Sequence, residues 1–270
     1  MEITSNDITQ RNYKKLSIQV SLNGLSFCVI DTITNKVLVH DSCFFEKNEV
    51  IESQLWNVFV KHTILIKEYD EILILHENKI NTFVPESLFD KENMGSYLQY
   101  NVKVFDNDYF AFDPLSTYEI NNVFVPFVHV NNFLLDQYKF FDYKNTNSIL
   151  VQKILDLCKN TEEKQVFIHI QDRNFEIIVV QNQQLLLFNS FEFNTEEDVI
   201  YYILFTFEQL QLNPEIIKVT LLGAITKEDS YYAIIYKFIR NCDLLDVSSL
   251  SKTYGVTEQD MIQNFILFNS

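Results

Sequence analysis

The chain has 270 residues, 47% hydrophobic and 14% aromatic, which excludes a disordered protein and allows one large globular domain or two of ordinary size. Its 37 acids against 21 bases give a net charge of −16. That balance disfavours nucleic acid and anionic membrane surfaces, which are held by clustered Lys and Arg.

The polar and charged stretch Met1 to Lys15 lacks the apolar core of a signal peptide. No run approaches the roughly 18 apolar residues of a membrane span. Cys28, Cys43, Cys158 and Cys242 form no C-x-x-C pair, and the expected setting is a reducing cytoplasm. Only four glycines occur, at 24, 95, 223 and 255. Phosphate-cradling loops need glycine so that backbone amides can approach the anion, and neither G-x-G-x-x-G nor G-x-x-x-x-G-K-[ST] is present.

In chain order, Leu16–Ile30 reads as two β-rich runs about an Asn23-Gly24 hairpin turn, with a third run at Lys36–Cys43. A helix follows over about Glu49–His62, carrying Trp56, and then a strand at Glu71–His76. Pro85–Asp90 opens a short helix, and Val102–Phe105 reads as a fifth strand. An aromatic-rich stretch, Phe105–Tyr143, fits either an inserted subdomain with its own small core or an exposed patch that docks a partner. A helix from about Ser148 to Lys159 leads into a second series.

That series repeats the first. Val166–Val180 turns at Arg173-Asn174, and Gln184–Phe191 is the third run. Asn194, with Glu197 three residues on, is expected to cap a helix over Val199–Leu210 that is apolar on nearly every face. Asn213-Pro214 ends it, Lys218–Gly223 is the fourth strand, Ser230 caps a helix through Arg240, and Leu244–Val247 is the fifth strand. Thr257 and Asp260 open a C-terminal helix. The offset between series is 150 at the first strand (Leu16, Val166), 148 at the third (Lys36, Gln184) and 147 at the fourth (Glu71, Lys218). A steady offset of this kind predicts an internal duplication. The expected units are 1–107 and 148–270, with the aromatic-rich insert at 108–147.

Three strands with the second antiparallel, then helix, strand, helix and strand, is the ribonuclease-H-like order. Two such units in tandem resemble the actin-like ATPase superfamily, which includes actin, sugar kinases, FtsA and PilM. The chain resembles more closely an uncharacterised protein family of Bacteroidetes with that fold. The expected class is α/β, with mixed sheets flanked by helices.

The resemblance also locates a cleft. Active members of the superfamily carry Asp-x-Gly near the end of the first strand of each half, for phosphate and magnesium. The matching positions here are Gln19 and Ser21, and His169 and Gln171, so both Asp and Gly are missing twice. Where paired glycines are usual on the adenosine side, this chain has Leu222-Gly223-Ala224. The cleft-lining candidates are therefore Ser21, Gln171, Asp172, Arg173 and Gly223, with Asp172 read mainly as a solvated turn residue.

Other chemistries lack their residues. The first strands hold no acid for a two-metal nuclease. The five histidines have no ligand spacing, no G-x-S-x-G elbow occurs, and no thiol has an evident partner histidine. The expectation is a non-catalytic actin-like protein without cofactor or metal, serving as a protein-interaction or scaffolding module, with self-association as a further possibility. The alternative is a diverged nucleotide- or sugar-phosphate-binding enzyme or sensor using the cleft.

Overall fold

The computed structural model describes residues 11–47, 49–100, 102–105, 108–159 and 161–270. Residues 1–10, which make up most of the stretch read as no signal peptide, and residue 107, the expected end of the first unit, lie outside the described residues.

The first sheet is built from β1 (Lys14–Val20), β2 (Gly24–Asp31) and β3 (Lys36–Phe44), then α1 (Ile51–Lys61) and β4 (Glu71–His76). A segment with its own three-stranded sheet follows: β5 (Asn81–Pro85), α2 (Met94–Leu98), β6 (Ala111–Leu115) and β7 (Ile120–Phe124). After α3 (Val128–Gln137) the chain returns to the first sheet with β8 (Asp142–Asn145). Its strand order is β3-β2-β1-β4-β8, with β4 parallel to β1 and β8 parallel to β4. The fifth strand is thus Asp142–Asn145, not Val102–Phe105. Val102 and Val104 instead pack beside Leu98, Val84 and Val123 in the small core of the inserted sheet.

α4 (Thr146–Leu157) leads to β9 (Gln165–Ile170), β10 (Asn174–Gln181), β11 (Gln184–Glu192), α5 (Glu196–Gln209), β12 (Lys218–Gly223), α6 (Ser230–Phe238) and β13 (Asn241–Leu244). The second sheet has the order β11-β10-β9-β12-β13, the same as the first. Both carry a register shift at the same point of the second strand, between Val29 and Ile30 and between Val179 and Val180. The chain ends in α7 (Ser248–Tyr254), α8 (Glu258–Gln263) and α9 (Phe265–Phe268).

The core follows from strand alternation. Leu16, Ile18 and Val20 of β1 face α1 and α3, where Leu55, Phe59, Val130 and Leu134 cover them. Val166, Ile168 and Ile170 of β9 likewise face α5 and α6. Between the sheets, α4, α8 and α9 are shared: Leu150, Ile154, Phe265 and Phe268 pack with Cys28 and Leu75 of the first sheet and with Phe167, Ile178 and Leu222 of the second. The two sheets therefore share one core.

Several helix ends differ from expectation. The α5 cap is Thr195, whose hydroxyl accepts from Asp198 N, while the Asp198 carboxylate accepts from Thr195 N and Asn194 N. The capping box sits one residue later than Asn194 and Glu197 because Asp198 reaches both amides. The cap of α6 is Asp229 rather than Ser230, and the second fifth strand is Asn241–Leu244 rather than Leu244–Val247. On α5, Tyr201 and Phe205 are 62% and 45% exposed, so this helix is not buried on every face. The two rings stack on its outer side, 6.2 Å apart. The Thr257 cap on Asp260 N forms as expected.

Candidate functional site

The cleft lies where the C-terminal ends of β1 and β4 approach those of β9 and β12. Parallel pairing sets Gln19 beside Leu75 and Val20 beside His76, so Glu77 follows immediately past β4. Gln19 Nε2 donates to Glu77 Oε2 at 2.8 Å. Burial raises the Glu77 carboxyl above the ordinary carboxylate range; the Gln19 hydrogen bond opposes this, the charge of Glu176 on the other sheet adds to it, and His169 offsets part. The two strand ends therefore face each other electrostatically.

On the second sheet, antiparallel pairing puts His169 directly opposite Glu176. His169 Nδ1 and Glu176 Oε2 are 2.8 Å apart, both nearly fully buried. Glu176 Oε1 accepts from Asn174 Nδ2 and Ser190 Oγ, and Asn174 Nδ2 also donates to Gln171 Oε1 at 2.8 Å. Both positions matching the missing aspartates thus carry side chains bonded to a neighbouring glutamate of the same sheet. Polar groups committed in this way have few lone pairs left for a phosphate.

The five cleft candidates are not brought together into a ligand cradle. Ser21 Oγ accepts from Asn23 N at 3.1 Å and closes its own turn. Gln171 is held by Asn174. Asp172 and Arg173 are 88% and 71% exposed and pair loosely at 3.8 Å, pointing to solvent. Gly223 adopts φ +94°, and a Cβ there would stand 2.2 Å from Ile170 O. Its lack of a side chain serves the close approach of β12 to β9, reinforced by Ala224 N donating to Ile170 O at 2.7 Å.

The inserted segment spans the two halves. Lys79 pairs with Glu192 of β11, and the Phe83 ring meets Phe188 edge-on at 4.9 Å. At the N-terminus of α4, Asp113 of β6 accepts from Asn145 N at 2.8 Å and from Ser148 Oγ. A helix N-terminus favours an anion, and here the chain supplies its own. Burial raises the Asp113 carboxyl to about 6 despite the hydrogen bonds from Ser148 and Asn145.

The histidines resolve case by case. His76 accepts from Phe127 N at Nδ1 and lies 3.0 Å from Asn131 Oδ1 through Nε2, and burial lowers its pKa to about 4. It is a neutral core residue. His62 corrects the sequence reading that no thiol has a partner histidine: its Nε2 stands 3.3 Å from Cys43 Sγ and its Nδ1 3.6 Å from Asp41 Oδ2. Asp41 and Cys43 share a face of β3 because they are two residues apart, and His62 caps the C-terminus of α1 above them. The separation in sequence hid this pairing. By contrast, the pairing of His169 with Glu176 was within reach of hairpin register alone.

No helix among the described residues is long and apolar enough to cross a membrane. A family model described as a protein of unknown function (DUF3822) matches residues 3–242. Comparison with curated proteins found no significant match. Among solved structures, a Bacteroides thetaiotaomicron protein with an actin-like ATPase fold and unknown function superposes with a TM-score of 0.80 at 23% identity, covering 92% of this chain and 98% of that one. A PilM–PilN type IV pilus biogenesis complex superposes with a TM-score of 0.58 at 12% identity, covering 96% and 97%. The chain therefore has the actin-like ATPase fold.

Proposed function

We infer that this chain, which belongs to the DUF3822 family of proteins of unknown function, is a non-catalytic actin-like protein that serves as an interaction or scaffolding module. The reading rests on one observation. Gln19 is bonded to Glu77 and His169 to Glu176 at the two positions where active members of the fold keep phosphate-handling aspartates. Two buried carboxylates facing each other repel a triphosphate rather than hold one, and no backbone loop rich in glycine offsets that repulsion. A structural neighbour solved as a complex of PilM with PilN is consistent with the fold serving protein assembly. We also propose that the matching strand order and matching register shifts of the two sheets descend from an internal duplication, and that the protein works in the cytoplasm, with a protein partner or a second copy of itself.

The competing reading, a diverged nucleotide or sugar-phosphate binder, would rely on the exposed pair Asp172 and Arg173. A thermal-shift panel of nucleotides and sugar phosphates separates the two. The interaction reading expects no shift beyond that of inorganic phosphate. A nucleotide-specific shift abolished by Asp172→Ala would establish the competing one.

A further inference from the structure

Cys43 stands apart from the other three cysteines. Cys28, Cys158 and Cys242 are buried, and burial pushes their thiols up to about 12, 11 and 12. None of those three has a histidine within hydrogen-bond distance among the described residues. Cys43 lies only partly buried on the edge strand β3, beside the fully accessible Phe44, and has a base within reach.

The imidazole of His62 is oriented from several sides. Its backbone N–H donates to Val58 O at 2.9 Å as the cap of α1, and the Phe27 ring packs edge-on against it at 5.3 Å. Asp41, about half exposed, faces Nδ1. With that nitrogen protonated toward the carboxylate, Nε2 carries the lone pair and faces Cys43 Sγ. A nucleophile, a base and a group orienting the base in this sequence form the arrangement that activates thiols. The charged groups facing Cys43 are Lys61 from α1, which favours the thiolate, and Asp41, which opposes it; burial adds to the opposition. A free thiolate is therefore disfavoured, and activation depends on proton transfer to His62 as the bond forms.

We propose that Cys43 is a modifiable thiol, activated by His62 and Asp41, that exchanges with low-molecular-weight disulfides. In the step, His62 Nε2 takes the proton from Cys43 Sγ as the sulfur attacks one sulfur of the disulfide. The reagent's S–S bond breaks, a new Cys43 S–S bond forms, and the departing thiolate takes the proton back from His62 and leaves as a thiol. One disulfide is consumed and one formed, so no further oxidant enters. The resulting adduct sits on the open edge of the first sheet, where it changes the surface presented to a partner.

The test uses the full chain and 2,2′-dithiodipyridine, following release of the pyridine thione across pH 5 to 9. One fast-reacting thiol is expected, mapped to Cys43 by peptide mass and removed by Cys43→Ser. His62→Gln should slow it at pH 7 by at least about ten-fold, at the low end of what a positioned base supplies. It should also turn a rate that levels off near neutral pH into one that rises steadily with pH. Asp41→Asn, at an exposed site where folding is not at risk, should slow it by a smaller factor, and oxidised glutathione should give the same adduct by mass. If His62→Gln fails to fold, the Asp41→Asn profile carries the test. A fast thiol other than Cys43, or a Cys43 rate unchanged in both variants, overturns the proposal.

Discussion

Gly223 illustrates how one residue is fixed by backbone rather than by ligand. Its φ of +94° lies where side chains are strained, and a Cβ would collide with Ile170 O. Gly223→Ala should therefore cost several kcal/mol, about 3 or more, in chemical denaturation. A loss under about 1 kcal/mol would contradict the account. Asp113 makes a second prediction, with its sign set by burial. Its folded pKa, about 6, lies above the ordinary 3.8. The stabilisation linked to that shift is complete below pH 3.8 and lost as pH rises through about 6, because the carboxyl must then ionise while buried. Relative to Asp113→Asn, the wild type should lose about 3 kcal/mol between pH 4 and pH 7, the equivalent of roughly two pK units. A difference independent of pH, measured by urea denaturation at each pH, would refute it.

At the scale of elements, the sequence was legible where apolar periodicity and capping chemistry are local. The first four strands of each sheet, and the helices α1, α4 and α5, stand within a few residues of their expected places. β8 could not be read. Asp142-Tyr143-Lys144-Asn145 is short and polar, and it is a strand only because Leu73–His76 offers it a parallel partner. Val102–Phe105 looked better by composition, but its valines are used by the small core of the inserted sheet. The aromatic stretch proved to be divided: Phe124 is fully buried, whereas Tyr109 and Phe140 are more than half exposed. The turns carrying Ser21 and Gln171 were located correctly by strand order. Glu77 and His62 were missed, since each acts on a residue brought close only by tertiary packing. The capping box of α5 gives a prediction at this scale: Thr195→Ala should destabilise by about 1 kcal/mol, while Asn194→Ala should cost much less because its side chain makes no cap bond. Equal losses would refute the assigned cap.

For the whole molecule, the shared core between the sheets matters most. Leu150 on α4 is fully buried among residues of both sheets and of α9. Leu150→Ala should cost roughly 2–5 kcal/mol and lower a single unfolding transition rather than splitting it in two; two separate transitions in calorimetry would show that the halves do not share stability. The shared core, the Lys79–Glu192 pair and the Phe83–Phe188 contact hold the halves together without a ligand between them. In this architecture the cleft is a joint between two half-molecules, with Glu77 and Glu176 where a nucleotide's phosphates would lie. The most direct test is isothermal titration calorimetry of the full chain with ATP and magnesium. The account predicts no saturable heat at ATP concentrations up to ~1 mM. A magnesium-dependent Kd in the micromolar range would contradict it.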